Sequence, residues 1–245
     1  MVGRLLEVTL GDPFSNLALE EVLFTGLRIP ILRVWSNQKS VIIGRAQLAK
    51  FETDLEYCRR RSIPVVRRFT AGGAVYNGPG NLNWSFFVPR VSYGTGAGLG
   101  DANRVFALFA ALVVRALRAC HVDCEFKSPN SIVGRHGKIS GMAAYISKAG
   151  VICHGTLLID ADLAEVETLT RPSDKELARR YPRSTFAPVS NCGVETRDFV
   201  SKLAEGSGYD LEKDRLTAAE SESTLRLVAS RYADDEWNLG DPFSR

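Results

Sequence analysis

The sequence lacks any long apolar run. A helix that crosses a membrane needs about 18 to 20 consecutive apolar residues, and no segment of the 245-residue chain approaches that length. The N-terminal stretch MVGRLLEVTLGDP also lacks the hydrophobic core of a secretory signal. These absences argue against a membrane protein or a membrane partner, and they predict a cytoplasmic location.

A strong charge of either sign is also missing. The chain has 31 Lys and Arg residues against 28 Asp and Glu residues, which gives a formal net charge of +3. A balance this close to neutral is too weak to predict nucleic-acid binding, although it suits an anionic ligand or an acidic partner. With 45% hydrophobic and 24% charged residues, the composition is that of a globular protein rather than a disordered chain.

Cysteine is scarce and scattered. The five cysteines are odd in number, and their spacing does not form a disulfide framework. The segment CHVDC brings Cys120, His121 and Cys124 together in sequence, but no second cluster completes a tetrahedral zinc site. We therefore expect buried thiols at a helix-to-strand junction and no protein metal site.

No linker, repeat or low-complexity segment divides the chain, so we predict one α+β domain over residues 1–245. Apolar residues at helical spacing predict a helix capped by Ser15 and ended by Gly26, and a long amphipathic helix over 103–120. The segments SDKE (173–176) and TAAE (217–220) fit capping boxes that open two further helices.

Strand-like segments occur throughout the chain. ILRVW (31–35) and SVIIG (40–44) predict two strands separated by a turn at SNQK. Further along, SIVG, HGKISGMAAYIS and GVICHGTLLID predict a three-strand meander joined by glycine turns.

The segment RRFTAGGAVYNGPGNLN (67–83) interrupts strand-like stretches with glycine, arginine and asparagine. Glycine permits backbone angles closed to other residues and lets a ligand approach main-chain N–H groups. Arg67 and Arg68 supply fork-shaped donors suited to phosphate or carboxylate. The segment matches neither a P-loop nor the dinucleotide-binding fingerprint. From the residues alone, an anion-binding loop and a structural hairpin are equally good interpretations.

Two later segments carry single polar residues on predicted strands. Lys138, in GKISGMAAY, is either a solvated strand residue or a compact charge that neutralises phosphate or a developing oxyanion. His154, in CHGTLL, is by default a hydrogen-bonded core residue. Neither residue alone predicts a function.

Taken in order, the motifs resemble those of the lipoate–protein ligase family. The resemblance rests on RRFTAGGAVYNGPGNLN, GKISGMAAY and HGTLLIDADL, with NLALEE near the start and EWNLG near the end. That family is related to biotin–protein ligases and lipoyl/octanoyl transferases. The biotin-ligase signature Gly-Arg-Gly-Arg-x-Gly-Arg is absent.

The resemblance implies a single catalytic domain of the biotin/lipoyl protein ligase type, with a central mixed β-sheet flanked by helices. It implies that the protein activates lipoate with ATP and Mg²⁺ to lipoyl-AMP and releases pyrophosphate. The lipoyl group then passes to a lysine of a carrier domain, such as the E2 subunit of a 2-oxoacid dehydrogenase or the H protein of glycine cleavage.

The resemblance also assigns roles to residues of this chain. Lys138 would be catalytic, bridging the lipoyl carbonyl and phosphate oxygens. The adenylate or ATP would contact Arg68, the backbone of Gly72, Gly73, Ala74 and Val75, and Asn81. The lipoate pocket would include Trp35, Asn77, Gly141 and His154.

The chain departs from the family pattern at several positions. The usual TGGGAVYHD reads TAGGAVYNG, with Ala71 for glycine, Asn77 for histidine and Gly78 for aspartate. Alanine disfavours positive φ, so residue 71 either avoids that conformation or is strained. The family's Asn-Asp pair reads Asn130-Ser131, which removes a carboxylate commonly placed near the adenine or metal.

Two alternatives to a self-contained ligase follow from the same sequence. The chain stops soon after EWNLG, without a C-terminal accessory domain, so a separate accessory subunit is expected. The other alternative is a transferase that takes an acyl group from acyl carrier protein without ATP. Its cysteine nucleophile would be Cys192 in SNCGVE or, with a poorer alignment, Cys124. A non-catalytic protein that binds lipoyl-AMP or carrier domains is a third class.

Overall fold

The computed structural model describes residues 2–90, 101–170, 181–182 and 184–244. In this part of the chain the strands are β1 (Val2–Glu7), β2 (Ile31–Trp35), β3 (Ser40–Ile43), β4 (Val65–Arg67), β5 (Val75–Asn77), β6 (Asn81–Pro89), β7 (Cys124–Lys127), β8 (Ser131–Gly134), β9 (Gly137–Ile146), β10 (Gly150–Leu158) and β11 (Asp210–Lys213). The helices are α1 (Pro13–Thr25), α2 (Ala49–Glu52), α3 (Leu55–Arg60), α4 (Ala102–Ala119), α5 (Leu163–Leu169), α6 (Thr196–Glu205), α7 (Ala218–Leu227), which continues into a π-helical turn (Val228–Tyr232), and α8 (Asp235–Leu239).

The strands form two sheets. Eight of them form one mixed sheet in the order β11-β1-β2-β6-β10-β9-β8-β7. Strand β1 is parallel to both β11 and β2, whereas the pairs from β2 to β7 are antiparallel. The order β4-β3-β5 makes a second, smaller sheet. The described residues therefore form the α+β fold with a mixed sheet that the resemblance implies.

One face of the large sheet is covered by α4 and α6. Helix α4 buries Val105, Phe109 and Val113, which recur at helical spacing. They pack against Trp84 and Phe86, which β6 directs to the same side. Because side chains alternate along a strand, the residues between them face the other way. Most of the apolar core therefore lies between the large sheet and α4.

The opposite face carries α1 and the small sheet. Along β6 it receives Asn83 and Ser85, both buried and polar. A polar surface buried between a sheet and a helix requires hydrogen-bond partners or a ligand. This second face is therefore the place to look for a functional site.

Several sequence predictions are confirmed. Strand β2 has the predicted bounds, the three-strand meander is β8, β9 and β10, and α4 covers the predicted amphipathic segment. Thr217 and Glu220 form the predicted capping box. The second predicted box, 173–176, lies outside the described residues. None of the helices described in the structure has both the length and the apolar composition to cross a membrane.

One local prediction is wrong. The cap of α1 is Asp12 rather than Ser15, because the Asp12 carboxylate accepts a hydrogen bond from the Ser15 main-chain N–H at 2.8 Å. The strands on either side of the SNQK segment both form, but they belong to different sheets. Strand β3 instead pairs with the distant strands β4 and β5.

Candidate active site

A cavity of about 910 Å³ opens on the polar face of the large sheet. Its inner part lies between the sheet and α1, which contributes Leu17 and Glu20. Its outer part lies between three segments. They are the glycine-rich loop within residues 67–83, the β7–β8 hairpin, and the segment 184–190, which we call the strap. A cavity of this size suits a cofactor or a drug-sized ligand.

The cavity floor consists of cross-strand rows of side chains. In the outer row, Trp35, Asn83, Thr156 and Gly141 lie on four neighbouring strands. In the next row inward, Ser85, His154 and Ala143 are aligned in the same way. Behind them, Phe87, Ile152 and Tyr145 form an apolar row that closes the inner end. The floor thus provides a channel that becomes apolar at its inner end.

A chain of hydrogen bonds connects the buried polar groups of this floor. Glu20 accepts from the Ser85 hydroxyl and contacts His154 Nδ1 at 2.9 Å. A carboxylate only accepts, so Nδ1 carries the hydrogen. His154 Nε2 lies 2.8 Å from Thr70 Oγ1, which accepts from Arg68 Nε at 3.0 Å. The network connects α1 to the glycine-rich loop.

Glu20 is the ionised centre of that network. Burial by itself would raise the pKa of the Glu20 carboxyl, but nearby His154, Arg33 and Ser85 together hold it below its usual value. Sequence reasoning quoted Glu20 only within NLALEE and gave it no role. Its partner His154 is 134 residues away in the chain, so no local pattern could have revealed the pair.

Lys138 reaches the cavity because β9 is irregular. Ile132 faces Ser140 and Val133 faces Lys138, so Ile139 is an extra, bulged residue. The bulge brings Lys138 to the same side as Gly141, and a Cβ built on Gly141 would lie 3.0 Å from Lys138 Nζ. Burial lowers the pKa of Lys138. Within the described part of the chain, no carboxylate forms an ion pair with this ammonium group.

Arg68 organises the glycine-rich loop from the cavity wall. Its guanidinium group donates to the carbonyl oxygens of Ala71 and Gly73 at 2.8 and 2.9 Å. Gly72 between them has φ = +106°, and a Cβ there would lie 2.7 Å from Arg68 Nη2. Burial lowers the pKa of Arg68 to about 10, although nearby Glu20 opposes the shift. Arg68 therefore stays charged near neutral pH and donates most of its hydrogen bonds to the loop itself.

Arg67 has a different position, although its sequence context suggested the same chemistry. It does not line the cavity. Its buried guanidinium group donates to main-chain carbonyls of Arg45, Trp237 and Gly240, among others. The expectation that Arg67 supplies donors to a ligand is wrong, because successive residues of a strand point to opposite sides. Arg67 instead fastens α8, which contains the EWNLG motif, to the small sheet.

The three asparagines of the loop also differ in position. Asn77 lines the cavity and accepts from Asn37 Nδ2 at 3.3 Å. Asn81 donates to the Tyr76 carbonyl at 3.1 Å, so it fixes the loop, but it is not part of the cavity lining. Asn83 lines the cavity, and its buried Nδ2 has no hydrogen-bond partner among the described residues. The sequence pattern alone predicts no role for Asn83.

Comparisons with known proteins show the family of this chain. Residues 12–202 match the family model described as the lipoyl protein ligase A/B catalytic domain. The chain belongs to this family. Among its relatives, lipoate-protein ligase A subunit 1 of Thermoplasma acidophilum is 29% identical over 98% of this chain and 97% of that protein.

Solved structures show the same lipoyl ligase fold. A putative lipoate protein ligase of T. acidophilum with bound lipoic acid has a TM-score of 0.82 and 27% identity, covering 98% of this chain and 100% of that one. A lipoate-protein ligase A bound with ATP has the same TM-score and identity, covering 98% and 99%. A bi-partite lipoate protein ligase, studied with its E2 lipoyl domain from T. acidophilum, has a TM-score of 0.81 and 28% identity, covering 98% and 97%.

This chain accommodates its departures from the usual family motif without backbone strain. Ala71 is not among the described residues with positive φ, so it avoids the conformation that alanine disfavours. Asn77 occupies its position with hydrogen bonds to Asn37 and to the Tyr76 carbonyl. At the mouth, Asn130 donates to the Met142 carbonyl at 2.8 Å, and Ser131 lines the cavity.

The two candidate cysteine nucleophiles of the transferase alternative, Cys192 and Cys124, do not line the cavity. Cys192 and Cys124 pack into the core beneath α4, on the other side of the sheet. Burial raises the pKa of the Cys192 thiol, and it raises that of Cys124 to about 11. A thiol that stays protonated at neutral pH is a poor nucleophile. Both positions therefore favour a packing role.

Proposed function

We propose that this chain is the catalytic chain of a lipoate–protein ligase, which forms lipoyl-AMP from lipoate and ATP and transfers the lipoyl group to a lysine of a carrier domain. One observation carries the proposal: a half-buried ammonium group, Lys138, without a carboxylate partner in the described chain, lies inside the cavity of a lipoyl ligase family member. A cation in a cavity, without an anionic partner among the described residues, suits an anionic ligand.

Lipoate would lie along the rows of the cavity floor. Its carboxylate belongs beside Lys138, where Gly141 leaves room for both the ammonium group and the acyl carbon. Its alkyl chain would pass Trp35 and Asn77 toward His154 and the apolar inner row. Lipoic acid and ATP are each bound in solved structures that this chain resembles.

In the activation step, a lipoate carboxylate oxygen would attack the α-phosphorus of ATP and pyrophosphate would leave. Negative charge shifts onto the phosphoryl oxygens in the transition state, and a fixed cation such as Lys138 stabilises it. The backbone of Gly72, Gly73, Ala74 and Val75, ordered by Arg68, would line the phosphate. Asn81 would act indirectly, through the loop carbonyl that it holds.

In the transfer step, the amine of a carrier lysine would attack the acyl carbonyl and AMP would leave as the phosphate anion. Lys138 can contact both the carbonyl oxygen and the phosphate oxygens, so it would stabilise the charge that develops in this step too. The same cation therefore serves both half-reactions.

Mg²⁺ would enter with ATP. Mg²⁺ prefers oxygen ligands and is commonly bound through one or two carboxylates plus substrate phosphates. Glu20 is fully buried and committed to His154 and Ser85, whereas Glu125 lies at the cavity mouth. Among the described lining residues, Glu125 would therefore hold a nucleotide-bound Mg²⁺, and the metal ion would help to neutralise the phosphate charge.

The partners would be lipoyl carrier domains and an accessory subunit. The bi-partite ligase of T. acidophilum, studied with its E2 lipoyl domain, supports a two-protein enzyme, and this chain covers nearly all of that chain. The proposal includes the E2 subunit of a 2-oxoacid dehydrogenase and the H protein of glycine cleavage as acceptors, and a cytoplasmic location.

The decisive experiment supplies the purified protein with lipoate, labelled ATP and an apo lipoyl domain, with and without an accessory subunit. We expect labelled AMP to form only with lipoate, and the carrier to gain a lipoyl group by intact mass. Cys192→Ser should be as active as the parent. Transfer of octanoate from acyl carrier protein without ATP, through a covalent adduct on Cys192, would refute the ligase and establish the transferase.

A further inference from the structure

The strap connects the glycine-rich loop to the strand that carries Lys138. At its C-terminal end, the main-chain N–H of Lys138 donates to the Pro188 carbonyl at 2.8 Å, and the Ser190 N–H donates to the Lys138 carbonyl at 3.0 Å. At its N-terminal end, Ser184 contacts the loop. The strap therefore crosses the region where the phosphate of an acyl-adenylate would lie.

Ser184 occupies a donor of the loop. The main-chain N–H of Ala74 donates to Ser184 Oγ at 2.6 Å. The side-chain amide of Gln47 donates to the same oxygen at 3.2 Å. The Gln47 amide is oriented independently, because its Oε1 accepts from the Gly44 N–H at 2.9 Å and so leaves Nε2 to face the strap. Two fixed N–H groups thus converge on one oxygen atom.

That oxygen presents only lone pairs to the two donors. Ser184 Oγ lies 2.5 Å from Glu52 Oε2, and a carboxylate only accepts, so the hydroxyl hydrogen is committed to Glu52. The Ser184 main-chain N–H also donates to Glu52, at 3.1 Å. Toward Ala74 and Gln47, the hydroxyl therefore behaves as a pure acceptor, as a phosphoryl oxygen would.

We propose that the Ala74 N–H and the Gln47 side-chain amide form a binding site for a phosphoryl oxygen of the acyl-adenylate, and that Ser184 is an internal ligand that occupies this site until the nucleotide displaces it. The inference rests on the proposed function. The close approach of Ser184 to the loop requires glycine at position 73. A Cβ there would lie 3.0 Å from Ser184 Oγ and would push the strap away from the loop.

The convergence of the two donors supports displacement rather than joint binding. With Ser184 in place, the hydroxyl lies between the Glu52 carboxylate and the two donors. A phosphoryl oxygen can accept the same two hydrogen bonds only at the position that the Ser184 oxygen occupies. Release of the strap is therefore coupled to arrival of the nucleotide.

The test compares the parent with Ser184→Ala, using a lipoyl-adenylate analogue whose phosphate is replaced by a non-hydrolysable sulfamate. Removal of the competing hydroxyl should tighten binding about five- to tenfold, which is the usual net effect of about one hydrogen bond. The gain should lie in the association rate, because a larger fraction of the protein is binding-competent. Trp35 in the cavity wall supplies the stopped-flow fluorescence signal.

Ser190→Ala is the matched control, since Ser190 lies on the same strap but does not line the cavity. It should bind the analogue as the parent does. Equal or weaker binding by Ser184→Ala would overturn the proposal, because Ser184 would then be a brace or a direct ligand.

Hydrogen exchange gives a readout that does not depend on the analogue. In the ligand-free protein, Ser184→Ala should speed deuterium exchange of the peptide that covers 70–77, and Ser190→Ala should not. Failure of the parent and the variant alike to bind the analogue would refute the proposed function. Inorganic pyrophosphate then probes the same two donors, and equal affinity in parent and Ser184→Ala would refute the internal ligand by itself.

Discussion

Lys138 lies directly over Gly141, three residues further along the same strand, because the bulge at Ile139 brings both to the cavity side of β9. A Cβ at position 141 would approach Lys138 Nζ to 3.0 Å, which is closer than ordinary van der Waals contact. The Lys138 ammonium group can therefore occupy its position only because residue 141 has no side chain.

Gly141→Ala should lower activity while leaving the fold intact. The flexible end of Lys138 can move aside, so the cost falls on the placement of its charge rather than on packing. A displacement of about 1 Å at a reacting centre reduces rates by up to about 100-fold. We expect a fall of about 10- to 100-fold in the rate of lipoyl-AMP formation, measured in a single turnover.

Gly11→Ala controls for the substitution itself, because a Cβ at residue 11 would have open space around it. It should be as active as the parent. An unchanged rate for Gly141→Ala would contradict the dependence of Lys138 on this glycine.

Lys138→Ala should remove acyl activation without destabilising the protein. Loss of one fixed electrostatic stabiliser costs about 10²- to 10³-fold in rate. Removal of a half-buried cation without a described carboxylate partner should leave the melting temperature unchanged or raise it. The exposed Lys148→Ala is the control and should retain full activity. Near-normal single-turnover activity in a folded Lys138→Ala protein would refute the catalytic assignment.

Replacement by lysine should weaken ligand binding at Arg68 and should lower stability at Arg67. Lysine cannot reproduce the donor fork of arginine at either position. Arg68→Lys should weaken binding of the lipoyl-adenylate analogue in isothermal titration, because the carbonyls of Ala71 and Gly73 lose their shared donor. Arg67→Lys should instead lower the free energy of unfolding by about 1–3 kcal/mol and leave the affinity of the folded protein near the parent value.

The comparison decides whether Arg68 matters to the ligand. Parent-like affinity in Arg68→Lys would show that the guanidinium group is dispensable for ligand binding. An equal loss of affinity in both variants would contradict the separation of the two arginines that the structure shows.

Glu20→Gln should destabilise the protein most at neutral pH. The folded-state pKa of Glu20 lies below its ordinary value of 4.5, so its ionised form contributes stability that is fully present above about pH 4.5. That contribution is lost as the pH falls through the lower folded-state pKa. We expect a loss of about 1–3 kcal/mol at pH 7, by analogy with other buried charged hydrogen bonds.

Urea unfolding at pH 7 and at steps below pH 4.5 measures the difference between parent and variant. The difference should shrink on acidification. Glu56→Gln, on the exposed side of α3, should change stability by less than about 0.5 kcal/mol at every pH. A Glu20→Gln penalty that grows on acidification would mean that the pKa of Glu20 in the folded protein lies above its ordinary value.

The sequence by itself determined the local elements and the family. Strand β2, the meander from β8 to β10, helix α4 and the capping box at Thr217 all depend on patterns within a few residues, and all have their predicted type. The ordered motifs around Lys138 and the glycine-rich loop were enough to indicate the lipoyl ligase family, because each is a short segment of distinctive composition.

Only the tertiary structure decided which polar residues share the cavity. Arg67 and Arg68 are adjacent in sequence, yet their side chains point to opposite sides of the strand. Arg67 therefore contacts α8, and Arg68 contacts the glycine-rich loop. The pairs Glu20–His154 and Ala74–Ser184 join residues 134 and 110 positions apart. Sheet pairing and the crossing of the strap bring them together, and contacts between distant segments leave no periodic signal along the chain.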